Sequence, residues 1–187
     1  MAAAVAKSGI GKSQNGWPAS PRPSDIDIVT VAIPLSRGTK SVQLARSAAP
    51  ALVEMAKWWD RYIEPIDTIY GYNYREIRGY EGTGILSNHS SGTCLDIDAA
   101  KYPLGAENTV STATAIAIAA KAASLGLRWG GSYSGRKDAM HVEVIFSPAL
   151  NTLATTGVKV WVWSSAAGAA ALGLFLLYKK VASIRRS

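Results

Sequence analysis

Cysteine, histidine and phenylalanine are scarce in this sequence, with one, two and two residues respectively among 187. With Cys94 alone, neither an intrachain disulfide nor a Cys-x-x-Cys zinc knuckle can form. The first 20 residues lack an apolar run of useful length, so we expect no secretory signal peptide there. The formal net charge is +7, but it forms no basic stripe with interleaved aromatic residues. We therefore expect no nucleic-acid partner.

Length and composition predict one domain with a core and several shorter segments. Residues 1–24 are rich in Ala, Ser, Gly, Lys and Pro, which is typical of flexible chain. The predicted organisation is a flexible N-terminal arm (1–24), a folded domain (25–150), a linker (151–159), a transmembrane helix (160–178) and a basic tail (179–187).

Hydrophobic periodicity predicts a mixed fold within the domain. Alternating apolar residues predict strands over residues 26–33, 93–99 and 140–146. Apolar residues at spacings of three and four predict helices over residues 48–63 and 109–125. These segments follow no regular βαβ order, so we expect an α+β fold, with a small antiparallel sheet flanked by helices.

The two histidines of the chain, His89 and His141, both lie near carboxylates. Histidine is the commonest protein ligand for zinc, and a catalytic zinc takes three protein ligands and keeps one position open. Asp96 follows His89 by seven residues, and Gly92 permits a turn that would bring the two side chains together. Alternation also places Cys94, Asp96 and Asp98 on one strand face. This pattern alone leaves two interpretations open: a metal site, or ordinary surface or core histidines.

Two motifs carry a resemblance to a known family. The segment SNHSSGTCLDID resembles the Ser-x-His-x-x-Gly-x-Ala-x-Asp motif of zinc D-alanyl-D-alanine carboxypeptidases and phage L-alanyl-D-glutamate endopeptidases, with Cys94 in place of the usual Ala. The segment DAMHVE resembles the second motif of that family. Trp-Gly-Gly at residues 129–131 is similar to the tripeptide that precedes this motif in the phage-type branch. The resemblance extends over residues 50–147 and implies a zinc peptidase that acts on peptidoglycan stem peptides.

The resemblance also implies roles for individual residues. His89, Asp96 and His141 would be the Zn²⁺ ligands. Asp138 would be the general base, and Glu143 is either an alternative base or a residue that orients a ligand. The candidates for substrate binding are Arg75, Arg78 and Ser87. For the two arginines, the alternative is an ordinary solvated surface charge. Cys94, which stands in place of the usual Ala of the first motif, is interpreted as a small packed side chain rather than a ligand.

The C-terminal region predicts an attachment to a membrane. Residues 160–178 contain no charged side chain. At ~1.5 Å per residue they would span about 28 Å, close to the ~30 Å hydrocarbon core of a bilayer. Four basic residues follow within 179–186. We therefore expect a single-pass protein in contact with membrane lipid, with the catalytic domain facing the cell wall.

Three further expectations concern the biological setting. Small residues at four-residue spacing in the apolar segment would allow a homo-oligomer to form through the helix. The expected context is a phage-encoded protein for lysis or penetration of the cell wall, either carried in a virion or expressed for lysis. The alternative functions are a non-catalytic peptidoglycan-binding module and a holin-like membrane protein.

Overall fold

A computed structural model describes residues 10–146 of the chain. Within this range, no helix has the length and apolar character needed to cross a bilayer. The predicted linker (151–159), transmembrane helix (160–178) and basic tail (179–187) lie outside the described residues.

Residues 10–146 contain short strands and two α-helices, in agreement with the predicted α+β class. The strands are β1 (Gly11–Lys12), β2 (Pro18–Ala19), β3 (Ile28–Ile33), β4 (Lys40–Ala45), β5 (Ile69–Tyr70), β6 (Cys94–Ile97), β7 (Leu127–Trp129) and β8 (His141–Val144). The α-helices are α1 (Ala49–Tyr62) and α2 (Thr112–Ser124). Short 3-10 helices span Pro23–Asp25, Asn88–Ser91 and Gly130–Ser132.

Every strand pair in the described part of the chain is antiparallel. Strands β1 and β2 form one hairpin, β3 and β4 form a second, and the main sheet has the order β5-β6-β8-β7. The two central strands, β6 and β8, are buried along their whole length. They also contain the last residues of the two sequence motifs, so the fold brings the motifs together at the middle of the sheet.

Both helices lie within the predicted ranges. The predicted helix 48–63 is α1 with one residue fewer at each end, and its buried face includes Leu52, Met55 and Trp59. Burial of each such side chain contributes about 1.5–3 kcal/mol to folding. The second helix begins three residues later than predicted, because the Ser111 hydroxyl caps it by accepting a hydrogen bond from the Thr114 N–H at 3.1 Å.

The strands are shorter than alternation predicted. The predicted strand 93–99 ends at Ile97, because Asp98 adopts a left-handed conformation with φ +47°. The Asp98 carboxylate accepts hydrogen bonds from the N–H groups of Asp67 and Thr68 at 2.9 and 2.7 Å. Asp98 therefore closes a turn, and the prediction that it continues the strand face of Asp96 is wrong.

The predicted flexible arm, 1–24, is wrong for residues 10–24. This stretch forms the β1–β2 hairpin and packs on the domain. Its anchor is Trp17, which is 5% exposed and belongs to the hydrophobic core. The indole N–H of Trp17 donates a hydrogen bond to the Phe146 carbonyl at 2.6 Å. A single large aromatic side chain therefore outweighs the linker-like composition around it.

Candidate metal centre

His89 lies on a 3-10 turn whose two ends are set by the first motif. At its start, the Ser87 hydroxyl accepts a hydrogen bond from the His89 N–H at 3.3 Å. At its end, Gly92 has φ +65°, and a Cβ atom there would lie 2.7 Å from the Ala45 nitrogen. Only glycine fits both the conformation and the contact. The turn places His89 in the interior, with 2% of the residue exposed.

The His89 imidazole is oriented by a backbone carbonyl. Its Nδ1 atom lies 2.5 Å from the Gly71 carbonyl oxygen, an arrangement in which Nδ1–H donates and Nε2 carries a lone pair. Nε2 is buried and forms no hydrogen bond, and its neighbour at 3.1 Å is a carboxylate oxygen of Asp96, which is itself an acceptor. Gly71 reaches this position by passing close to β4, where a Cβ atom would lie 2.3 Å from the Gln43 carbonyl oxygen. A buried, unpartnered lone pair is the donor that a metal ligand presents.

Asp96 and His141 complete a group of three convergent side chains with His89. The pairing of β6 with β8 places Asp96 directly opposite His141. Asp96 Oδ1 lies 2.9 Å from His141 Nδ1, and Asp96 Oδ2 lies 3.1 Å from His89 Nε2. Ligand atoms at ~2.0–2.2 Å from one tetrahedral zinc are about 3.4 Å apart. The two measured separations, each through a different Asp96 oxygen, are close to this value.

Cys94 offers a second set with the same two histidines. Its Sγ atom and one ring nitrogen each of His89 and His141 lie within 4.8 Å of one another, and all three residues are buried. By comparison, each Asp96 oxygen lies close to one ring nitrogen, at 3.1 Å from His89 Nε2 and 2.9 Å from His141 Nδ1. Burial, reinforced by the nearby carboxylates, raises the pKa of the Cys94 thiol well above its usual value. Because a bound metal can deprotonate a coordinating thiol, Asp96 and Cys94 are both candidates for the third ligand.

Asp138 presents a free carboxylate oxygen beside this group. Its backbone is held by two hydrogen bonds: its N–H donates to the Gly130 carbonyl at 3.1 Å, and its carbonyl accepts from the His141 N–H at 3.0 Å. Its Oδ1 atom is buried and has no hydrogen-bond partner. Burial raises the pKa of the Asp138 carboxyl above its ordinary value. A carboxylate that is buried, unpaired and less acidic than usual is well suited to accept a proton.

Glu143 has the opposite environment, because its carboxylate is fully engaged. It accepts hydrogen bonds from Arg128 Nε at 2.8 Å, from the Tyr133 hydroxyl at 2.7 Å and from the Asn88 side-chain amide. It also lies 3.5 Å from His141 Nε2. Burial opposes ionisation, but the hydrogen bond and charge of His141 and the charge of Arg128 lower the pKa of Glu143 to about 2. Glu143 therefore contacts Nε2 of the candidate ligand His141, whereas Asp96 contacts Nδ1.

A cleft of about 700 Å³ opens over the site. Its charged lining includes Arg75, Arg78, Arg128, Arg136, Asp138 and Glu143. Of these arginines, only Arg128 forms an ion pair within residues 10–146. Burial lowers the pKa of Arg75, and its Nε atom is buried without a hydrogen-bond partner. The cleft is therefore suited to an anionic ligand.

The structure brings the predicted substrate-binding residues to this cleft, but in different ways. Arg75 and Arg78 line it directly. Ser87 also lines it, yet its hydroxyl accepts from the His89 N–H and its own N–H donates to the Arg75 carbonyl at 3.0 Å. Ser87 thus shapes the turn that carries His89. Sequence reasoning missed the partners of Glu143: Asn88, Arg128 and Tyr133. The only signal for them was their proximity to the motifs.

One comparison with known proteins agrees with the resemblance that the motifs indicated. A protein-family model described as D-alanyl-D-alanine carboxypeptidase matches residues 81–144, about a third of the chain. The matched segment contains the candidate ligands His89, Asp96 and His141 and the candidate base Asp138. No curated protein and no solved structure matches the chain. The family resemblance is therefore confirmed over the segment that carries the site.

Proposed function

We propose that the chain is a zinc peptidase that hydrolyses a peptide bond in peptidoglycan stem peptides, because residues 81–144 match a family model described as D-alanyl-D-alanine carboxypeptidase. The observation that carries the proposal is the convergence of two buried histidines on Asp96, with distances of 3.1 and 2.9 Å from its oxygens to their ring nitrogens. A zinc ion, when bound, supplies a Lewis acid and lowers the pKa of water toward ~7.

His89 Nε2, an Asp96 oxygen and His141 Nδ1 would hold the ion. Groups outside this set keep both rings in place. The Gly71 carbonyl accepts from His89 Nδ1, and Glu143 lies beside His141 Nε2. Such partners fix the tautomer and orientation of a ligating imidazole.

Asp138 is the proposed general base. Its unpartnered Oδ1 accepts a proton from the attacking water and returns it to the leaving amine as the peptide bond breaks. Glu143 is a weaker candidate, because its oxygens already accept hydrogen bonds from Arg128, Tyr133 and Asn88. A positioned base of this kind contributes roughly 10²–10⁴ in rate.

Arg75 is the proposed anchor for the substrate. A guanidinium group pairs with carboxylate oxygens in a planar, two-bond geometry. The two candidate scissile bonds are D-Ala-D-Ala and L-Ala-D-Glu. In both substrates, the residue directly after the scissile bond carries a free carboxylate. The unpaired arginines of the cleft suit either substrate. The presence of the three ligands and of Asp138 favours an enzyme over a non-catalytic peptidoglycan-binding module.

The decisive experiment is digestion of purified peptidoglycan with the full-length protein, followed by mass spectrometry of the released peptides. A carboxypeptidase releases a terminal D-Ala, whereas an endopeptidase exposes a new N-terminal D-Glu. Asp138→Asn serves as the inactive control. Zinc binding without any cleavage product would support the non-catalytic binding module instead.

The cellular setting is also part of the proposal. A membrane helix at residues 160–178 would hold the catalytic domain on the side of the cell wall, in a phage-encoded protein for lysis or wall penetration. The support is the uncharged stretch and the basic residues that follow it. Protease protection on sealed membranes tests the orientation. Lysis that requires residues 160–187 but not Asp138 would favour the holin-like alternative.

A further inference from the structure

The N-terminal hairpin binds the two strands of the candidate metal centre. The Asn15 side-chain amide donates to the Thr93 hydroxyl at 2.9 Å and to the Val144 carbonyl at 3.1 Å. Thr93 directly precedes β6, and Val144 ends β8. Asn15 therefore bridges the two strands that carry Asp96 and His141.

The backbone of Asn15 reaches the metal motif itself. Its N–H donates to the Asn88 side-chain oxygen at 2.9 Å. Because a backbone N–H can only donate, this bond determines which way the Asn88 amide points. The amide nitrogen of Asn88 must then face the opposite direction, where it donates to Glu143 Oε2.

Asn88 and Glu143 are both in the interior, with 3% and 2% of the residue exposed. The other Glu143 oxygen is held by Arg128 and Tyr133. The Oε2 atom, which accepts from Asn88, is the one that lies 3.5 Å from His141 Nε2. The orientation of the Asn88 amide therefore determines where the carboxylate oxygen nearest His141 is placed.

The hairpin has a firm hold at this position. The Ser13 hydroxyl donates to Asn15 Oδ1 at 2.7 Å and lies 2.8 Å from the Ser91 hydroxyl of the motif turn. Two residues later, Trp17 is anchored in the core. Asn15 thus lies between two hairpin residues, Ser13 and Trp17, that both contact the rest of the domain.

We propose that Asn15 and Asn88 are positioning residues of the metal centre. Asn15 orients the Asn88 amide, Asn88 places the Glu143 carboxylate, and Glu143 holds the imidazole of His141. The N-terminal hairpin is then a functional part of the site and lies outside the segment that matches the family. The inference rests on the proposed function in one respect, since it takes His141 as a zinc ligand.

The test measures the zinc dissociation constant of the full-length chain by competition with a chromophoric chelator. Asn88→Ala should weaken zinc binding by roughly 10–100-fold, the range typical for partners that orient a ligand. Asn88→Asp should weaken it further, because a second carboxylate would face Glu143. Asn15→Ala should have a smaller effect in the same direction. The matched control is Lys12→Ala, in the same hairpin, where the side chain is exposed.

A second readout separates positioning from general loss of stability. The visible absorption spectrum of the Co²⁺-loaded protein depends on ligand geometry, so it should change in the Asn88 variants. It should stay unchanged in Ile118→Val, a core substitution in α2 that lowers stability elsewhere. If Asn88→Ala does not fold, Asn15→Ala decides the question against the same controls.

The outcomes distinguish the two proposals. Zinc affinity and Co²⁺ spectra in the Asn88 and Asn15 variants equal to those of the wild type would overturn the positioning role. Failure of the wild-type chain to bind zinc would instead overturn the proposed function on which that role rests.

Discussion

Asp96 lies directly opposite His141 in the β6–β8 pair, and its Oδ1 atom is 2.9 Å from Nδ1 of that histidine. Because side chains alternate along a strand, a shift of one residue in this pairing would move one of the two side chains to the opposite face. The register therefore determines whether the candidate ligands meet. Both strands are buried, and burial of their apolar neighbours strongly specifies this register.

The wild-type chain should bind one zinc, and the third ligand should be Asp96. Asp96→Ala should lose most of the zinc affinity, because it removes the group that lies between the two histidines. Cys94→Ala should keep it, since alanine fills the same small buried space. Elemental analysis of dialysed protein checks both variants. Loss of zinc in Cys94→Ala with retention in Asp96→Ala would exchange the two assignments.

Asp138→Asn should retain zinc and lose roughly 10²–10⁴ of kcat, because it cannot accept a proton. The comparison is Glu143→Gln, which should mainly change zinc affinity through its contact with His141. Turnover of a stem peptide by zinc-saturated protein measures the first effect. Normal turnover in Asp138→Asn together with collapse in Glu143→Gln would make Glu143 the base.

The pH dependence of activity should contain an acidic limb from Asp138. Burial raises the pKa of this carboxyl above its ordinary value of 3.8, and only the ionised form accepts a proton. The ratio kcat/KM should therefore rise with pH through this raised pKa, and the limb should be absent in the residual activity of Asp138→Asn. A midpoint at or below 3.8 would contradict the assignment.

The same raised pKa has a consequence for stability in the metal-free protein. The folded state binds the Asp138 proton more tightly than the unfolded state, so the free energy of unfolding decreases as pH rises through the folded-state pKa. At neutral pH the ionised, buried carboxylate destabilises the fold. Asp138→Asn should then unfold at higher denaturant concentration than the wild type at pH 7, and the difference should disappear below the unfolded-state pKa.

Gly71→Ala should destabilise the fold and weaken zinc binding together. The added Cβ would lie 2.3 Å from the Gln43 carbonyl oxygen, and relief of such a clash typically costs about 1–3 kcal/mol. The same movement would shift the Gly71 carbonyl away from His89 Nδ1. Denaturant unfolding and zinc competition measure the two effects. The control is Gly135→Ala, where a Cβ would have no neighbour within 4 Å.

The ligand set and its supporting fold could be predicted largely from the sequence. Alternation along the two motif strands placed His141 away from the core-facing side chains, and the resemblance paired it with His89 and Asp96. The predicted α1 was accurate because its apolar spacing is regular and a proline follows it. These features are local, and the sequence displays them directly.

The surroundings of Glu143 could not be predicted in the same way. Its partners Arg128, Tyr133 and Asn88 come from three separate segments that meet only in the folded sheet. The N-terminal segment was misjudged for a related reason. Its composition is that of a linker, whereas its position depends on where Trp17 finds a place in the core.

The hydrogen bond between the Trp17 indole and the Phe146 carbonyl joins the N-terminal hairpin to the last described residue. The N-terminal hairpin and the end of β8 therefore lie next to each other. A circular permutant would join residue 146 to residue 10 by a linker and open new termini at Gly38, in the exposed turn between β3 and β4. Such a rearranged chain would keep the hairpin of residues 10–20 beside the motif strands. Its new termini would lie far in sequence from His89 and His141.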